Sequence, residues 1–250
     1  MTGKQTQPSP ALAGKRGFSL ISDETFRQLY AALLQCELLD QRLRSARGYE
    51  PWTGREAASA AVSACLRRGD SITPTPRGRL AGYLHNGTLA GAGASTGPAR
   101  QLAAANQQAV RHKRESNGNA VVVFAAVAPP SSMSKVFAAA AGLSLPVLYI
   151  LQGATPPAEA CHGIPVILVD ASDAVALYRV ACESITRARE GGGPTILECA
   201  AWPADPEPAD PLRKLEQYLA QKKLFRPHWK RSLETKFSAA LDEAITSLHP

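Results

Sequence analysis

The side chains of this chain best placed to do chemistry are few and scattered. Arg77, in "TPTPRGR", carries a planar guanidinium that can clamp a phosphate bidentately or form a plain surface salt bridge. Glu56, in "GREAA", stands in the first turn of a helix-like segment, where a carboxylate either faces a cleft or answers the helix dipole. His162 precedes "GIPV" near the end of strand-like runs, where active sites collect in α/β proteins; the alternative is a solvated loop histidine. Ser131 and Ser132 open a helical stretch and could hold an anion on its first N–H groups or only cap it. Five cysteines, Cys36, Cys65, Cys161, Cys182 and Cys199, lie far apart without a CxxC pair or a histidine spacing suited to zinc. They read as small, unpaired core residues of a reducing compartment.

What stands at the best chemical position is less promising. "VVVFAAVAPPSS" (121–132) is an apolar, β-branched run leading into a helix start, and the carboxyl end of such a strand is where α/β folds usually grip a ligand. That position holds Ala125, Ala126, Val127 and Ala128, whose side chains have no oxygen or nitrogen to offer.

The elements that must position these residues follow from periodicity. "SDETFRQLYAALLQCELLDQRLRSA" has an N-cap in Ser22 or Asp23 and places Phe26, Leu29, Tyr30, Leu33 and Leu34 on one helical face. "GREAASAAVSACLRRGD" is a second, alanine-rich helix expected to end at Gly69. "SITPTPRGRLAGYLHNG" is a short strand or extended turn followed by helix, and "GPARQLAAANQQAVRHKRESNG" is helical as far as Asn117-Gly118. The period then changes. Strands are expected near 120–127, 145–151, 164–169 and 194–200, separated by the helices "SSMSKVFAAAAGLS" and "DAVALYRVACESITRAREG". "GGGP" (191–194) is a loose connection rather than a phosphate loop, because a strand follows it. This alternation predicts a mostly parallel, doubly wound α/β sheet. Residues 1–17 form a polar tail expected to be disordered, 18–203 the α/β domain, and 204–250 a proline-rich linker with two terminal helices.

A net charge of +7 sits in local runs such as Lys15-Arg16, Arg111–Arg114 and Lys222-Lys223. It favours anionic partners over long range. The runs lack interleaved aromatics, which argues against nucleic acid. No apolar segment is long enough for a signal core or a membrane span, so the expectation is a cytoplasmic protein without membrane association.

Six stretches, in order, carry a family resemblance: "LYAALLQCELLDQRL", "GREAA", "GDSITPTPRGRLAGYLHNG", "LPVLYILQG", "HGIPVILVDASDAVALYRVACESITRAREGGGPTILECAAW" and "DPLRKLEQYLAQKKLF". Over roughly residues 20–245 the chain resembles the alpha subunit of the thiamine diphosphate-dependent 2-oxo acid dehydrogenases, the pyruvate and branched-chain types. The resemblance implies the thiamine diphosphate-binding fold with C-terminal helices, a beta-type partner that completes the cofactor pocket, and subunit contacts made by alanine-rich helix faces such as those of "GREAASAAVSA" and "VFAAAAG", hence at least a dimer. It also makes Asp170 and Asp173 of "VDASD" a turn and a helix N-cap.

The same resemblance marks what is missing. The family holds magnesium and the cofactor diphosphate with a GDG at a strand end and an asparagine about thirty residues later, because Mg²⁺ wants hard oxygen ligands in near-octahedral array. Here the GDG positions fall on Ala125-Ala126-Val127, and the asparagine pair falls on Gly153-Ala154 after Gln152. The family's Tyr-Arg pair at the diphosphate becomes Pro76-Arg77, and "PADPEPADP" stands where the family has a histidine-bearing loop. Arg77 is then a vestigial cofactor contact and Glu56 a second candidate. Ala126, Gly153 and Ala154 are degenerate metal positions, and no catalytic residue is assigned. The expected function is a degenerate, non-catalytic alpha-subunit-like protein, a structural or regulatory partner that is a homodimer or pairs with a beta-type subunit and takes no cofactor alone. Two alternatives stand beside it. One is a working alpha subunit completed by a beta subunit, using thiamine diphosphate and magnesium; the other is a basic module for an acidic partner.

Overall fold

The computed structural model describes residues 21–44, 54–87, 89, 96–152, 156–200 and 210–246. The expected N-terminal tail (1–17) and most of the proline-rich linker lie outside them. In chain order the elements are α1 (Asp23–Leu43), α2 (Glu56–Cys65), β1 (Ser71–Ile72), α3 (Arg79–Asn86), α4 (Pro98–Glu115), β2 (Val121–Ala126) and α5 (Pro130–Gly142). There follow β3 (Val147–Gln152), a 3-10 turn (Ala158–Cys161), β4 (Val166–Asp170), α6 (Ala174–Arg189), β5 (Thr195–Ala200), α7 (Pro211–Gln221) and α8 (Pro227–Thr246).

The strands form one five-stranded sheet in the order β1-β2-β3-β5-β4. Every pairing is parallel. The α/β class expected from the alternation is therefore what the chain adopts, and each predicted strand is present within about two residues of its expected bounds. Parallel strands need helices on both faces, and the side-chain alternation sorts them. Val122, Phe124, Leu148, Ile150 and Leu197 face one core with α1, α2, α6 and α7. Val121, Val123, Val147, Tyr149 and Leu151 face the other, beneath α4 and α5. β4 is an edge strand, and on it Val166 and Leu168 are 38% and 54% exposed.

Helix ends follow their capping chemistry. Ser22 caps α1 by accepting the Thr25 N–H at 3.1 Å, and Asp210 caps α7 with Pro211 at its first position. Two expectations need correction. α2 stops at Cys65, not at Gly69: Leu66 is extended with ψ 146°, and the turn after it closes when the Asp70 carboxylate accepts the Arg67 N–H at 2.8 Å. Gly69 serves that turn with φ +101° instead of ending the helix. The alanine-rich face of α2, expected at a subunit contact, is spent inside the chain. Ala57, Ala58, Ala60 and Ala61 are all buried in the first core, where their small size lets α2 lie close to α6.

The cysteines also depart from expectation. Cys65, at the end of α2, is joined by a disulfide to Cys182 on α6, while Cys36, Cys161 and Cys199 are free and buried. The two partners are 117 residues apart, so sequence spacing held no trace of the pairing. Nearby, Arg189 at the end of α6 forms a bidentate ion pair with the fully buried Asp70 carboxylate, its Nε donating to Oδ1 at 3.3 Å and its Nη2 to Oδ2. Arg189 Nη2 also donates to the Cys65 carbonyl at 3.2 Å.

Candidate functional site

In a parallel sheet the carboxyl ends of all strands share one side, and the loops that follow them form the ligand cleft. β2 and β3 pair in register so that Ala126 lies beside Gln152, each the last residue of its strand. The "TPTPRG" turn delivers Arg77 to the same place. Thr75 anchors that turn, its Oγ1 donating to the Phe124 carbonyl at 2.7 Å and accepting the Gly78 N–H at 2.9 Å. Gly78 allows the close approach, since a Cβ there would meet Thr75 Oγ1 at 3.1 Å. The half-buried Arg77 then donates from Nη1 to Gln152 Oε1 at 2.9 Å. The structure thus brings together Arg77 and Ala126, expected from the sequence, and Gln152, which sequence reasoning passed over as a partner. The missed signal was the β2–β3 register, which sets the residue after "LYIL" opposite Ala126.

The donor set at these two strand ends is one methyl group, one amide and one guanidinium. Gln152 Oε1 is the single side-chain oxygen among them, and it already accepts from Arg77; its buried Nε2 has no partner among the described residues. Magnesium bound with a diphosphate needs several hard oxygen donors, so the described residues at these strand ends do not fit that group. Gly153 and Ala154 lie outside the described residues. Among the described residues no cluster of three or more His, Cys, Asp or Glu side chains could hold a metal ion.

Glu56, partly buried, is the first residue of α2. Its carboxylate accepts the Arg55 N–H at 2.9 Å. Burial raises its pKa above the ordinary value of 4.5, against backbone N–H bonds from Glu56, Arg55 and Gly54 that lower it; the Asp40 carboxylate on α1 adds to the rise. The structure gives Glu56 no bond to Arg77 among the described residues.

The remaining residues have local partners. Asp173 caps α6, its Oδ1 accepting the Val175 and Ala176 N–H groups. Asp170 shapes the preceding turn through Ser172 and reaches Lys214 Nζ at 3.1 Å. Its partial burial would raise its pKa, but the Ser172 N–H and hydroxyl and the Lys214 ammonium outweigh that and leave it lowered. Ser131 and Ser132 do not cap α5: the cap residue is Pro129, and the Ser132 hydroxyl donates to the Pro129 carbonyl at 2.8 Å. The exposed His162 lies in the left-handed region (φ +50°) with Nε2 2.6 Å from Ser134 Oγ on α5. No third group among the described residues orients its other nitrogen.

With that geometry in view, comparison with known proteins gives a consistent answer. The sequence profile of the family described as "Dehydrogenase E1 component" matches residues 152–207, from the end of β3 past β5. The chain is 26% identical over 245 residues to the alpha subunit of acetoin:2,6-dichlorophenolindophenol oxidoreductase from Bacillus subtilis, covering 76% of this chain and 73% of that protein. It is 26% identical over 283 residues to the alpha subunit of 3-methyl-2-oxobutanoate dehydrogenase from Mycobacterium tuberculosis, covering 91% and 76%. Against the chloroplastic pyruvate dehydrogenase E1 component subunit alpha-3 of Arabidopsis thaliana identity is 33% over 101 residues, 33% of this chain but 24% of that protein. The match takes in about a quarter of the plant relative's length and about three quarters of each bacterial one. The chain therefore resembles the alpha subunits of dehydrogenase E1 components, and it has an all-parallel α/β fold. Among the described residues no helix is long and apolar enough to cross a membrane.

Proposed function

We propose that this chain is a non-catalytic relative of the dehydrogenase alpha subunits, retaining the fold and an assembly role while lacking the means to hold magnesium and thiamine diphosphate. The observation that carries the reading is the pairing of Ala126 with Gln152 at the strand ends, where the one side-chain oxygen is already engaged by Arg77. Arg77 remains as a vestige of a diphosphate contact, and Glu56 as a partly buried carboxylate at the start of α2.

Several features support a partner. The bacterial relatives are named as alpha subunits, and β4 leaves Val166 and Leu168 exposed at the sheet edge. The alanine faces of α2 cannot serve a subunit contact without unpacking the core, so association with a beta-type subunit or a second copy uses other surfaces. The reading places the protein in the cytoplasm, as the sequence expectation had it.

The experiment is co-expression with a beta-type dehydrogenase subunit from the same source organism, followed by size-exclusion chromatography and an assay of 2-oxo acid-dependent reduction of an artificial electron acceptor with magnesium and thiamine diphosphate supplied. The reading expects a stable heteromer or a homodimer, and no turnover above that of the beta-type subunit alone. Cofactor-dependent turnover by the mixed complex would establish the working-subunit alternative in its place.

A further inference from the structure

The amino-terminal side of the sheet carries an arrangement that the proposed function does not use. Cys65 ends α2 and Cys182 lies two turns before the end of α6, so their bond ties together two helices that enclose much of the first core. Both residues are half-buried, not sealed in the interior. The Tyr178 carbonyl lies 3.5 Å from Cys65 Sγ, an acceptor already in place for the thiol that opening the bond would release. The helix ends are also held without the disulfide, through Arg189, which binds both the Asp70 carboxylate and the Cys65 carbonyl. An opened state thus has an acceptor in place for the Cys65 thiol and its neighbouring ion pair intact.

We propose that Cys65 and Cys182 form a reversible thiol–disulfide switch, exchanged by small thiols of the glutathione class, which tightens or loosens α2 against α6 without unfolding the sheet. In the exchange a glutathione thiolate attacks one sulfur, giving a mixed disulfide and a free cysteine thiolate. A second glutathione thiolate then attacks the glutathione sulfur of that mixed disulfide, releasing the second cysteine as a thiolate and forming glutathione disulfide. The balance is two cysteine thiols and one glutathione disulfide, with two electrons supplied by the two glutathione thiols. The remaining cysteines do not compete. Cys36, Cys161 and Cys199 are buried, and burial raises the pKa of each thiol, that of Cys199 up to about 12, keeping them protonated and poorly nucleophilic.

The switch stands apart from the proposed function, since it lies on the opposite side of the sheet and its test reads no cofactor. Air-oxidised full-length protein is incubated natively with glutathione disulfide or with excess reduced glutathione, quenched in acid, denatured and alkylated with N-ethylmaleimide for intact mass. The expected result is three alkylated cysteines in the oxidised sample, matching the three free ones, and all five after native reduction. The reduced protein should keep its native circular dichroism while its Tm falls by roughly 5–15 °C. Amide exchange over 62–72 and 178–189 should rise at least about tenfold, and that of β2 and β3 much less. Cys65→Ser and Cys182→Ser should behave like reduced protein in either glutathione state. Five alkylated cysteines before reduction would overturn the proposal. So would persistence of three after native reduction, which would make the bond a static staple, or wholesale unfolding on reduction. The wild-type arms decide the matter even where a variant fails to fold.

Discussion

The two ends of the sheet are built to opposite standards. At the amino end the Asp70 carboxylate is held several ways: it accepts from the Arg67 and Ala120 N–H groups at 2.8 Å each and from Arg189, and Arg189 in turn binds the Cys65 carbonyl beside the disulfide. At the carboxyl end, where an α/β protein of this kind would meet its ligand, β2 finishes on a methyl group, and the one amide beside it leaves a buried N–H₂ without a partner among the described residues. A buried polar group left unsatisfied costs free energy and persists where function or history put it. The contrast teaches that the frame of the fold is firmly tied at one end, and on the proposed reading any loss of ligand grip lies at the ligand-facing rim.

The largest expected effect breaks the comparison at its strong end. Asp70→Ala removes one member of a buried ion pair and orphans two backbone N–H groups, and should cost about 3–5 kcal/mol of stability in guanidinium unfolding of the oxidised protein. A cost near zero would mean that the amino end is not the rigid end.

A subtler effect is expected at Glu56, with a sign set by its raised pKa. A carboxyl whose folded pKa lies above its unfolded value contributes stability that is fully present below the unfolded value and lost as pH rises through the folded one. Wild-type stability should therefore carry a component that declines as pH climbs from the ordinary carboxylate range. Glu56→Gln should remove it, so that the variant gains on the wild type at pH 8 relative to pH 4.5 in paired thermal melts. An unchanged difference between the two pH values would show that Glu56 is not buried in charged form.

The smallest effect sharpens the weak end. Gln152→Leu removes an amide with one bond and one orphan group, so the cost of losing the Arg77 contact should be no more than about 1 kcal/mol. A loss comparable to that of Asp70→Ala would show that Gln152 has a structural role comparable with the buried ion pair.

Much of this was legible in the sequence, for identifiable reasons. β2 and β3 are apolar, β-branched runs, and β5 is such a run broken by the buried Glu198; runs of this kind, buried on both faces, announce central parallel strands. Asp173 announced its own cap because capping is local. What stayed hidden is tertiary. α2 ends early because Asp70 is held by Arg189 from 119 residues away. The alanines of α2 read as an intermolecular face because small residues permit close packing without naming the neighbour, and here the neighbour is α6. Cys65 and Cys182 could be paired only once α2 and α6 were known to lie together. At the candidate site the placement of Arg77 and Ala126 followed from the family resemblance, while Gln152 emerged from strand register.

The central claim, a dismantled metal–diphosphate grip, is tested most directly by calorimetric titration of thiamine diphosphate into the purified chain with and without magnesium. Each charge-assisted contact to the diphosphate is worth about 1.5–3 kcal/mol, and several lost together lower affinity by at least about a thousandfold. The account predicts no magnesium-dependent binding at micromolar concentration. It also predicts a measurable magnesium dependence, without turnover, in Ala126→Asp combined with Gly153→Asn or Ala154→Asn. Tight magnesium-dependent binding by the unmodified chain would contradict the account and restore the reading of a working subunit.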